Sequence, residues 1–165
     1  MDGLNSSAIN LMEGVSVKKL LIHPDERGRL FEILRSDEPV FKKFGQVYVT
    51  TAHPGVIKAW HYHKIQTDHF CCILGKARLV LYDPRPNSPT TGLINEFILG
   101  PDNLLLVVIP PDIYHGFQCI SEDEAIMINI PTEPYSPHNP DEYRLDYRSP
   151  DVPYQWPKYR AERKS

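Results

Sequence analysis

Residues Lys58 to Phe70, KAWHYHKIQTDHF, hold three of the chain's seven histidines and an aspartate. Imidazole titrates near neutral pH and carries a lone pair, so such a cluster suits proton transfer or metal ligation. It equally suits polar residues that merely line the mouth of a barrel. In a strand, His61 and His63 stand two residues apart and point to one face, which in a closed barrel is the interior or the outside. On the inside, two imidazoles converge. His69 alternates away from Asp68 and reads as a packing residue.

The elements that must position these groups are strands. VSVKKLLIH, LFEILR, GQVYVTTA, VIKAWHYH, HFCCILG, ARLVLYD, LINEFILG, LLLVVIPP and EAIMINIP are short β-branched or aromatic runs punctuated by Gly, Pro, Asn and Asp, the pattern of a sandwich or barrel. ILGKARL reads as a tight hairpin centred on Gly75-Lys76. No long helical periodicity is present. The 165 residues, 41% hydrophobic, predict one domain over 1–165 with a single core. After residue 130 the prolines crowd together, and a proline-rich tail over 131–165 is expected to wrap the outside, since proline removes ladder donors. A net charge of −3 leaves no electrostatic footprint for nucleic acid. The longest apolar run, NLLLVVIPP, is too short to span a membrane, and the N-terminus lacks the pattern of a secretory signal, so a cytoplasmic protein is expected. Three cysteines, two of them adjacent at Cys71 and Cys72, read as buried small apolar residues.

The spacing Gly55-x5-His61-x-His63-x4-Asp68-x6-Gly75 resembles the first motif of the cupin superfamily, with Asp where Glu is usual, and IPPDIYHGF, with Pro110, Asp112 and His115, resembles the second. The resemblance implies an all-β, single-domain cupin jelly-roll barrel or sandwich with its site at the mouth. DERGRLFEIL, GVIKAWHYH, GKARLVLYDPRPNSPTTG, IPPDIYHGF and PYSP…RSPDVPYQWP, in that order, are similar to the dTDP-4-dehydrorhamnose 3,5-epimerase family over nearly the whole chain. That family implies a nucleotide-linked 4-keto sugar as substrate, with His61 as the base that removes the proton beside the ketone. By the same resemblance Lys58 stands where an arginine contacts the sugar nucleotide and donates to an oxyanion. Arg27, Glu32 and Gln46 match substrate-contacting positions, and His115 is expected to contact substrate or base. The family also implies a homodimer in which the DERG segment reaches its partner's pocket.

Three departures accompany the match. Asn129 occupies the expected place of the acid tyrosine, Ser149 that of the aspartate that orients the base, and Asp68 that of a catalytic lysine. An amide has no proton to give at a useful pKa. Asp146, Asp151, Tyr135 and Tyr143 are nearby substitutes. Asp68 is thereby a catalytic candidate and Asn129 a substrate-binding one. His61, His63, Asp68 and His115 together would make a three-histidine, one-carboxylate ligand set for Zn²⁺, Fe²⁺, Mn²⁺ or Ni²⁺, although an epimerase of this family needs no cofactor. A metal would favour a 3,4-ketoisomerase or single-centre epimerase over a double epimerase. The alternatives are a metal-dependent cupin oxygenase or isomerase acting on another small molecule, and a non-catalytic sugar-nucleotide binding module.

Overall fold

The computed structural model describes residues 10–160, which hold twelve strands and no helix. The last five residues of the expected tail and the first nine of the N-terminus lie outside the described residues. One five-stranded sheet runs β1 (Ser16–Lys19), β9 (Leu105–Ile109), β6 (Asp68–Leu74), β11 (Ala125–Asn129), β4 (Tyr48–Ala52). The other runs β12 (Tyr143–Arg144), β5 (Ile57–Tyr62), β10 (Tyr114–Cys119), β7 (Ala77–Tyr82), β8 (Ile94–Leu99). A small hairpin, β2 (His23–Asp25) with β3 (Gly28–Leu30), stands apart with every residue exposed. Because β4 and β5, and again β6 and β7, fall in different sheets, the chain crosses back and forth between two layers, as in a jelly roll.

Alternation along the strands produces three apolar layers. Cys72, Leu79, Leu81 and Val107 point into the core between the sheets with Phe70, Phe117 and Met127. Their chain neighbours Cys71 and Leu106 face outward and are covered by Phe31, Ile33 and Leu34. On the other sheet, Trp60 and Val80 face outward and are covered by Val152, Tyr154 and Trp156 of the proline-rich tail. The Trp60 and Trp156 rings lie 5.0 Å apart. Burying an indole removes roughly 200 Å² from water, on the order of 5 kcal/mol before entropy is counted. The three cysteines are buried and unpaired.

Three sequence expectations change. Residues 74–77 do not form a hairpin: β6 pairs with β9 and β11, β7 with β8 and β10, and Gly75 is the corner between layers. Its φ of +70°, and a Glu124 carbonyl 2.4 Å from where a Cβ would sit, require glycine there. In LFEILR only Leu30 is in a strand; the rest covers a sheet without pairing to it, because apolar side chains can pack on a face whose ladder bonds are already taken. Residues Tyr114–Cys119, read as a motif, form the strand β10 at the centre of the second sheet.

That strand sets the geometry of the site. His115 pairs with His61 while Phe117 pairs with Lys58, so β5 carries one extra residue against β10. The bulge shifts the alternation, letting Lys58 and His61 both line the cavity while Trp60 turns outward. It also brings Ala59 against Gly116, where an added Cβ would meet the Ala59 Cβ at 2.2 Å.

Candidate active site

A cavity of about 800 Å³ opens between the sheets, within the range of small-molecule sites. His61 and Lys58 line it from β5; Tyr48 and Thr50 line it from β4 on the opposite sheet. Lys58 Nζ donates to Thr50 Oγ1 at 3.2 Å, linking the two walls. Gln46, at the rim, accepts from the Tyr135 amide at 3.1 Å.

Behind this surface lies a polar cluster. The His61 and His115 rings are 4.3 Å apart, and His63 lies 5.7 Å from His115. Asp68, 1% exposed, places Oδ2 at 3.1 Å from both His63 Nε2 and His115 Nε2. Its Oδ1 accepts from the Gln66 and Asn129 amides at 2.8 and 2.9 Å. His115 Nδ1 faces the Ile113 carbonyl at 3.0 Å, and His63 Nδ1 faces the Asp141 carbonyl. The Asp141 carboxylate accepts from the amides of Lys64, Ile65 and Gln66, so the tail pins the loop that follows His63.

Charge follows from this burial. Burial, reinforced by the neighbouring His115 ring, holds His61 well below the ordinary imidazole range, so it is neutral at pH 7 with a lone pair available. Burial opposes protonation of His63, but contact with Asp68 outweighs it and raises the pKa. Burial alone would raise Asp68; the His115 and His63 contacts instead hold it well below the usual carboxylate range.

A family model described as dTDP-4-dehydrorhamnose 3,5-epimerase matches residues 10–165. The chain belongs to the dTDP-4-dehydrorhamnose 3,5-epimerase family. It is 38% identical over 146 residues to the spore coat polysaccharide biosynthesis protein SpsL of Bacillus subtilis strain 168, covering 88% of this chain and 97% of that protein. It is 38% identical over 144 residues to the probable low-salt glycan biosynthesis epimerase Agl13 of Haloferax volcanii, covering 86% and 92%. Among solved structures, a dTDP sugar isomerase from Desulfovibrio desulfuricans G20 superposes with a TM-score of 0.83 at 34% identity, covering 88% of this chain and 92% of that one.

Within this epimerase family fold, the candidate residues divide. His61, Lys58, Gln46 and His63 reach the cavity. Asp68, His115 and Asn129 do not line it. They are at most 1% exposed and sit behind the wall, so direct catalysis by Asp68 and direct substrate contact by His115 and Asn129 give way to a supporting role. Asn129 donates to Asp68 and to Tyr48 Oη, each at 2.9 Å, and accepts from the His69 amide. Arg27 and Glu32 are not at the cavity of their own chain: Arg27 is exposed and paired with Asp25, Glu32 is exposed beside Arg35. Ser149 bonds Asp151 near the surface, and of the four substitutes considered only Tyr135 reaches the rim. His69 is buried with both ring nitrogens facing carbonyls, those of Ile130 and Val40, as a packing residue.

Tyr48 lies in GQVYVTTA, which the sequence marks as a strand without singling out the tyrosine. Its Oη accepts from Asn129, which leaves its own hydrogen free for the cavity. Burial, then the negative Asp68, pushes its pKa up to about 12. The only sequence signal for it was Asn129 itself, an amide where a proton donor was expected.

Proposed function

We propose that this chain is a cytoplasmic epimerase of a nucleotide-linked 4-keto-6-deoxyhexose, serving polysaccharide or glycan assembly. His61 removes the proton on the carbon beside the ketone, and Tyr48, on the opposite wall, returns one to the other face. The observation that carries the reading is this pairing across one cavity of a neutral imidazole and a phenol whose hydrogen is uncommitted. A carbon acid next to a ketone needs a positioned base, a proton source and a donor for the developing enolate oxygen. Lys58 supplies the donor. The phenol does what the amide at position 129 cannot, and Asn129 holds it in place.

Gln46 and Lys58 face the nucleotide sugar at the rim. Arg27 and Glu32 act from the exposed β2–β3 region of a second copy in a homodimer, which also covers the exposed Leu21 and Leu30. Among the described residues no helix is long and apolar enough to cross a membrane.

The test is solvent exchange in D₂O with dTDP-4-keto-6-deoxyglucose and its C3 and C5 epimers. Deuterium should enter a carbon beside the ketone, and His61→Ala should abolish this. An absence of carbon-bound exchange in each of these sugars would remove the reading.

A further inference from the structure

We propose that Arg144 holds the diphosphate of the sugar nucleotide at the cavity mouth, and that Glu142 occupies its guanidinium until the diphosphate displaces it. The inference deepens the reading above and rests on it, since it takes the substrate to be nucleotide-linked.

The placement starts from the two-residue strand of the tail. β12 pairs with β5 so that Arg144 stands opposite His61 and Tyr143 opposite Tyr62. Trp60 and Leu145 exchange both main-chain hydrogen bonds, each 2.9 Å, which leaves His61 and Arg144 as the non-hydrogen-bonded pair beside them, the kind whose side chains lie closest on a shared face. That face looks into the cavity. On the reverse face the Tyr143 ring stacks on Tyr62, with centroids 5.1 Å apart and planes 21° from parallel, and this contact holds the short strand in register. Alternation returns Glu142 to the side of Arg144, and both line the cavity.

Arg144 Nε and Nη2 donate to one oxygen of Glu142, Oε1, at 3.1 and 2.8 Å. A guanidinium fork closed on a carboxylate oxygen has the geometry it would present to a phosphate oxygen. The Arg144 side chain is 76% exposed and that of Glu142 31%. So open a pair is held weakly, and the doubly charged diphosphate outcompetes a single carboxylate for the fork. Among the described residues two permanent cations line the cavity, Lys58 and Arg144, and the proposed reaction commits Lys58 to the enolate oxygen. Arg144 is left for the phosphates. The pair also lies within electrostatic reach of both catalytic walls. Burial first, then the His115 ring, holds His61 low, and the Arg144 charge adds to this; burial first, then Asp68, pushes Tyr48 up, and the Glu142 charge adds to this.

Calorimetry on the full chain, without any 4-keto sugar, tests the proposal. The probes are dTDP and UDP, with thymidine and uridine as phosphate-free controls. The wild type should bind at least one diphosphate, and bind its nucleoside far more weakly. Arg144→Ala should weaken diphosphate binding roughly tenfold or more and flatten its dependence on salt. Arg144→Lys, which keeps the charge and loses the fork, should fall between. Glu142→Gln should bind a few-fold tighter than wild type, because the competing charge is gone while the shape is kept. Opposite signs at two contacting residues are what a purely structural pair would not give. Unchanged binding in Arg144→Ala, a Glu142→Gln chain that binds no tighter than wild type, or a wild-type chain that binds neither diphosphate would each overturn the proposal. Circular dichroism checks folding, and should Arg144→Ala not fold, the opposed shifts of Arg144→Lys and Glu142→Gln decide. Because no carbon-bound hydrogen is followed, failed deuterium exchange and failed nucleotide binding are separate results.

Discussion

The chemistry at the residue level turns on where one hydrogen points. Asn129 commits the Tyr48 oxygen as an acceptor, so the phenolic hydrogen has the cavity as its direction, and in the proposed reaction removing that hydroxyl removes the proton source without touching the base. Tyr48→Phe should slow complete epimerisation by roughly 10²–10⁴-fold. Deuterium wash-in by His61 should persist in part, and the comparison of exchange with product formation by NMR checks it. A second residue-level prediction concerns Asp83, fully buried, whose carboxylate accepts from Arg85, Ser88 and Thr90. Burial works against the charge there, but these donors outweigh it and hold the pKa well below the usual carboxylate range. The unfolded chain then binds the proton more readily than the folded one. This contribution to stability is whole above the unfolded pKa of ~4 and is lost as pH falls through the folded one. Asp83→Asn should lose stability at neutral pH and show a shallower fall of the urea midpoint between ~pH 5 and ~pH 3.

Among the elements, β5 and β10 carry the site. The extra residue in β5 is accommodated because Gly116 leaves room for Ala59 to approach, and that bulge alone turns both Lys58 and His61 inward. Gly116→Ala places a methyl where the Ala59 methyl already sits, and relief requires the two strands to part. The expected cost is about 2–3 kcal/mol or more, read from the denaturation midpoint. Exchange activity should fall further than the stability loss explains, since Lys58 and His61 move with β5. A variant with wild-type stability and activity would refute this account of the bulge.

The molecule as a whole uses its irregular segments as structural parts. Residues 31–40 cover one sheet, the tail covers the other through Trp156, and Asp141 returns to fasten the loop carrying His63 and Gln66. The exposed β2–β3 hairpin has no such partner among the described residues, and in the proposed dimer it completes a neighbour's cavity. Mixing two inactive variants tests this. Arg27→Ala and His61→Ala, each deficient alone, should regain up to about a quarter of wild-type activity per site after subunit exchange, because about half of the dimers are then mixed and only one of the two cavities in each recovers both groups. No recovery in demonstrably mixed dimers, measured by sedimentation and exchange assay together, would place Arg27 outside the site.

Much of this was legible in the chain itself. Period-two patterning and proline punctuation determined the β architecture, since alternation is a local property of a pleated strand, and the His61, His63, Asp68, His115 spacing marked the polar cluster. The direction of each side chain was not local. A one-residue bulge reversed the alternation around Trp60, and a corner at Gly75 split what looked like a hairpin between two sheets. Only the packed structure decided that Asp68 stands behind the wall between two histidines, and that Tyr48, distant from Asn129 in the chain, sets its hydroxyl against that amide. Such contacts join residues on separate strands, and no pattern along a single strand encodes which partner the fold will place beside it.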